Sequence, residues 1–138
     1  MLKGNNFDEI AESPIICSNS IRHDFYTVNN INFNLWFQGP CSINWNKLKT
    51  DFLAFTQTQI NHFDSFPVDE YHFFFQITPY MSYHGVEHTK NTVILLGPGE
   101  KIMKEKYNSL LHICSHELYH TSVSYTHLRA HETDSYLV

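Results

Sequence analysis

The chain has 138 residues, 9 Lys and Arg against 14 Asp and Glu, and a formal net charge of -5. That length suits one domain with a modest core, and an acidic balance without a Lys/Arg cluster excludes a surface built to neutralise a run of phosphates, so no nucleic-acid partner is expected. No apolar run approaches the roughly 20 residues of a membrane span, so no span is expected in this segment either.

The amino terminus, Met1–Asn6, has no apolar h-region of the kind a signal peptide needs, which favours a cytoplasmic location if Met1 is the true start. The three cysteines, Cys17, Cys41 and Cys114, form no Cys-x-x-Cys pair; buried free thiols are expected rather than a disulfide framework or a thiolate zinc site. Aromatic residues make up 15% of the chain, many in β-branched or alternating runs that suit strands.

Phe25–Val28 and Ile31–Phe37 flank Asn29 and Asn30, two residues that tolerate positive φ, so the segment reads as a β-hairpin. After Gly39-Pro40, the residues Ile43, Leu48, Phe52, Phe55 and Ile60 recur at roughly helical spacing. They predict an amphipathic helix from Asn44 to about Phe63, with Ser42 as its N-cap. Tyr71–Thr78 is a dense aromatic run closed by Pro79, which fits a strand buried on both faces. Tyr83–His88 reads as a loop, and Thr92–Leu96, bounded by Asn91 and Gly97-Pro98-Gly99, as a further strand.

A helix is then predicted from about Glu100 to Thr121. Met103, Tyr107, Leu110, Leu111, Cys114 and Leu118 form its core-facing stripe. His116 and His120 lie one turn apart on an adjoining face, in the pattern His-Glu-x-x-His. Two such imidazoles can reach a single Zn²⁺ at about 2.0 to 2.1 Å, and Glu117 then stands beside the ion without ligating it, placed to act as general base. In a shuffled chain this rich in histidine the pattern arises about 4% of the time, so its helical setting carries much of the weight. His23, His62, His72 and His84 read as structural or solvated, and His112 as part of a solvated helix face.

Gly85-Val86-Glu87-His88, followed by a strand and then the HExxH helix, resembles the catalytic domain of the glycyl aminopeptidase family of metallopeptidases. The segment Phe7–Ile15 is similar to the acidic-Ser-Pro stretch that opens that domain, so the resemblance covers Phe7–Thr121. It implies an α/β (α+β) fold, the amino-terminal portion of a thermolysin-like zinc metallopeptidase domain, with a small sheet and an active-site helix. It also implies one zinc ion held by His116 and His120, Glu117 as general base, and Glu87, with Gly85 and His88, as the substrate-binding segment that receives a peptide's free amino terminus. A carboxylate there would pair with an α-ammonium and set the scissile bond one residue in. The strand Thr92–Leu96 is expected to pair with the substrate backbone.

The family adds a third ligand, a Glu on a later helix. Glu132, twelve residues after His120, leaves little room for a turn and a returning helix. Val123–Thr133 resembles the translation, in one frame, of a transposon adapter used in sequencing libraries. The expectation is therefore a partial catalytic domain over residues 1–121, a non-native tail over 122–138, and a fragment inactive by itself. Family members carry a β-rich domain before the acidic-Ser-Pro stretch, which implies that Met1 is an internal methionine. Two other readings stay open: a zinc endopeptidase of another HExxH family, in which Glu87 is only a loop residue, and a non-enzymatic binding module.

Overall fold

The computed structural model describes residues 4–63 and 66–134, with side chains through residue 124. The elements in chain order are α1 (Phe7–Ala11), β1 (Arg22–Val28), β2 (Ile31–Gln38), α2 (Trp45–Phe63), β3 (Glu70–Ile77), β4 (Ser82–Glu87), β5 (Asn91–Gly97) and α3 (Tyr107–Asp134). The strands form one mixed sheet in the order β1-β2-β3-β5-β4. The outer pairs β1/β2 and β4/β5 are antiparallel, and β3 runs parallel to both β2 and β5.

Asn29 and Asn30 take φ of 49° and 64°, so the hairpin turn has both central residues left-handed, the backbone that matches strand twist. The expected N-cap moves from Ser42 to Asn44, whose Oδ1 accepts from the Lys47 amide at 3.1 Å. A helix starting at Trp45 puts Asn44, and not Ser42, where a side-chain oxygen meets the free amides.

Helices α2 and α3 cover the same face of the sheet. Strand alternation sends Tyr26, Phe33, Phe37, Tyr71, Phe73, Phe75, Ile94 and Leu96 into that layer, where Leu48, Phe52 and Ile60 of α2 and Leu110, Cys114 and Leu118 of α3 meet them. Each ring fully buried there contributes about 1.5 to 3 kcal/mol over an exposed one. Tyr26 keeps its hydroxyl satisfied on Thr56 at 2.8 Å.

The opposite face of the sheet is only half covered, so β3 is not buried on both sides as its aromatic density suggests. His72 and Phe74 are half-buried while Tyr71, Phe73 and Phe75 are sealed. On that outer face His23 stacks on Trp36 at 3.8 Å, and the Trp36 indole donates to His72 Nδ1 at 3.2 Å. Desolvation pushes the His72 imidazole below its ordinary pKa. The cysteines are all free, as expected, but only Cys114 is buried; Cys41 is half-buried against Arg22, and Cys17 is exposed.

The final helix starts later than its apolar stripe suggests. Gly97-Pro98-Gly99 leads into a single 3-10 turn over Gly99–Lys101 and further turns, and regular helix begins at Tyr107. It then continues without a break through Thr121 and Ser122 to Asp134, so the boundary expected after residue 121 leaves no mark on the backbone. The rest of the expected tail, side chains from residue 125 and all of 135–138, lies outside the described residues, as do Met1–Lys3.

Candidate active site

Helix α3 presents the HExxH segment with its residues split between two environments. Leu118 and Cys114 anchor the helix in the core, which turns Glu117 under the edge of the sheet and leaves His116 and His120 at the surface. The two rings meet edge to face with centroids 4.5 Å apart, and their Nε2 atoms converge to 2.9 Å. Nitrogens bound at about 2.0 to 2.1 Å to one tetrahedral centre stand roughly 3.3 Å apart, so this pair fits two positions of such a shell after a shift of a few tenths of an ångström. Among the described residues no third His, Cys, Asp or Glu joins them in a metal-sized cluster. Glu132 lies on the same continuous helix about 18 Å further along its axis, given about 1.5 Å of rise per residue.

Glu117 is 6% exposed. It fits because its neighbour across the seam is a glycine: a Cβ on Gly85 would lie 2.7 Å from Glu117 Oε1 and 2.9 Å from its Cγ. The Glu87 carboxyl neighbours that of Glu117 across the seam. Burial, then the Glu87 carboxyl, raises the Glu117 pKa, with His116 and His120 pulling the other way.

Gly85 and Glu87 belong to β4, not to the loop expected for Tyr83–His88. The segment pairs antiparallel with β5, Gly85 opposite Ile94 and Glu87 opposite Thr92. Its composition hides this, because an edge strand tolerates glycine, histidine and charge on its open side. Thr92 Oγ1 donates to the Val86 carbonyl at 2.9 Å, and the His88 amide to the Asn91 carbonyl at 2.7 Å, closing the turn after Glu87. His88 is half-buried, its carbonyl near Thr121 Oγ1 at 3.5 Å; it lines a cavity of about 430 Å³ with Glu12, Glu87 and Thr121.

The strand expected to pair with substrate is corrected as well. Thr92–Leu96 lies in β5, inside the sheet with β3 on one side and β4 on the other, so both its edges are occupied. The edge on that side of the sheet belongs to β4.

Two contacts escape a reading of the sequence. Tyr83 Oη and His112 Nδ1 lie 3.1 Å apart across the β4–α3 seam, so His112 is exposed yet partnered. Tyr71 Oη and Thr121 Oγ1 meet at 3.1 Å inside the core, tying the helix turn after His120 to β3. The signal for the first was present: Tyr83, Gly85 and Glu87 alternate, and as strand residues they share a face.

No family model matches the chain, and no curated protein matches it. Among solved structures, the fold is similar to that of an aminopeptidase N family protein from Idiomarina loihiensis, with a TM-score of 0.65 and 21% identity over 73% of this chain. The likeness is one of fold. This chain spans 18% of the length of that structure.

Proposed function

We propose that the chain carries part of a zinc aminopeptidase active site within a thermolysin-like domain, hydrolysing peptides from a free amino terminus. The observation that carries this reading is the joint placement of converging His116 and His120 with a buried Glu117 that neighbours Glu87. His116 and His120 would hold the zinc ion, which when bound supplies Lewis acidity for hydrolysis at neutral pH. The likeness of fold to an aminopeptidase N family protein supports the assignment.

The residues divide the work by environment. Glu87, exposed at the end of β4, receives the substrate's α-ammonium. That cation adds positive charge nearby, so the influence of Glu87 that favours protonated Glu117 weakens on binding. Glu117 accepts a proton from the attacking water and passes it to the leaving nitrogen. The outward edge of β4 offers backbone groups to an extended peptide.

Zinc titration of the full 138-residue chain against a chromophoric chelator tests the ligand assignment. Two imidazoles make a weak site, with the remaining positions left to water. Binding should therefore be weak, should be lost in His116→Ala and in His120→Ala, and should persist in Glu117→Gln. Zinc uptake indifferent to either histidine change would defeat the metal centre. Glu87→Gln should abolish the preference for free over acetylated peptides; a preference that survives would favour the endopeptidase reading.

A further inference from the structure

Tyr83, Gly85 and Glu87 share the face of β4 that looks onto α3, and together they meet two points of the helix. Glu87 and Gly85 lie against Glu117, while Tyr83 reaches His112, one turn before His116. Tyr83, Gly85, His112, Ile113, His116 and Glu117 line a shallow cleft of about 270 Å³ along this seam. At its floor Glu117 packs into the space that Gly85 leaves by having no side chain. Beyond Gly85 the Tyr83–His112 hydrogen bond, 3.1 Å long, bridges strand and helix and forms a wall.

We infer that Tyr83 and His112 form the subsite for the leaving portion of the peptide. The inference rests on the aminopeptidase reading above and extends it to substrate length. At about 3.3 Å per residue, Tyr83 stands roughly 13 Å along β4 from Glu87. An extended peptide whose ammonium sits at Glu87 places its first peptide bond beside Glu117 and His116. Its following residues then run past Gly85 toward the wall.

The chemistry of the wall suits a peptide backbone. Nδ1 of His112 is engaged by the Tyr83 hydroxyl, and Nε2 can hydrogen-bond a peptide group, as donor to its carbonyl or acceptor from its N–H according to the tautomer. Tyr83 adds an aromatic surface that is 49% exposed before any ligand covers it. Substrates of three or more residues reach these groups; aminoacyl amides do not. Tyr83 and His112 are therefore positioning residues for longer peptides.

The test measures binding of alanine peptide amides to the metal-free full chain by NMR titration, with the dispersion of the amide spectrum reporting that each variant is folded. The tetrapeptide amide should bind about fivefold more tightly than the dipeptide amide, the ratio that one net hydrogen bond supplies. In His112→Ala and in Tyr83→Phe that ratio should fall below about twofold while dipeptide affinity stays unchanged, a selectivity that loss of structure would not produce. His112→Asn retains a side-chain donor and should recover part of the gain. Equal affinity for both lengths in the native chain, a length gain that survives both changes, or no binding at all would overturn the subsite. An acetylated tetrapeptide amide that binds as well as the free one, with Glu87→Gln silent, would instead sink the amino-terminal reading while leaving the length dependence standing.

Discussion

The two ends of the sheet differ in what their inner faces bury. Under α2, Phe37 stacks on Phe75 at 4.2 Å and Phe52 meets Phe73 edge-on at 5.3 Å, a layer dominated by rings. Under the amino-terminal half of α3, the same kind of surface holds a glycine and the buried Glu117 carboxyl, with the exposed Glu87 beside it. The first arrangement lowers the free energy of the fold; the second raises it, because a carboxyl taken from water beside a like group has lost favourable hydration. Stability and candidate chemistry are thus lodged in different strands of one sheet, and the parallel pair β3/β5 joins them.

That contrast is sharpest in mutation. Phe75→Ala, in a side chain with no exposure, should cost about 3 to 5 kcal/mol in urea unfolding. Such a loss is a large share of the 5 to 15 kcal/mol typical of whole domains, so the melting temperature followed by circular dichroism should fall clearly. A cost below about 1 kcal/mol would mean the ring layer is not the core it looks to be. Gly85→Ala should cost less, about 1 to 3 kcal/mol, the usual range for overpacking. The added methyl meets the flexible end of Glu117 first, although the Cγ contact at 2.9 Å limits how far that side chain can yield. Carboxyl NMR of Glu87 and Glu117 should show their mutual influence altered in this variant, and an unaltered pair would place the glycine outside the site.

The smallest effect has the opposite sign. The Glu117 pKa in the folded chain lies above the ordinary 4.5, so the native state holds that proton more tightly than the unfolded state does. Its stabilising contribution is complete below about 4.5 and is lost as pH rises through the folded value, leaving a buried charge to be accommodated at neutral pH. Glu117→Gln removes the charge and keeps the shape. Thermal melts should show the variant more stable than the native chain at pH 7, with the difference shrinking below pH 4.5. A variant less stable at pH 7 would show that the carboxylate has better partners than burial and Glu87 imply.

Much of the frame was legible in the sequence because it rests on short-range signals. Asn29-Asn30 between alternating arms gives the hairpin, and the apolar spacing from Leu48 to Ile60 gives α2. What stayed hidden depends on neighbours distant in the chain. Strand β4 has no apolar alternation of its own and is extended because β5 lies beside it. Phe74 looks like a core residue and sits on the half-covered face, since only tertiary packing decides which side of a sheet a helix takes. The histidine pair and Glu117 were visible through helical spacing alone. The grouping of Glu117 with Gly85 and Glu87 came only from the family resemblance, because spacing cannot show a strand and a helix that meet only in the fold.

The edge position of β4 also bears on how the molecule breathes. Opening β3 breaks two backbone ladders, with β2 and β5, whereas opening β4 breaks one. Of these two strands, the amides of β4 should exchange with solvent at the lower free-energy cost. Lifting the strand that carries Tyr83, Gly85 and Glu87 therefore breaks one ladder and its contacts with α3, while β3 in the aromatic layer is held by two.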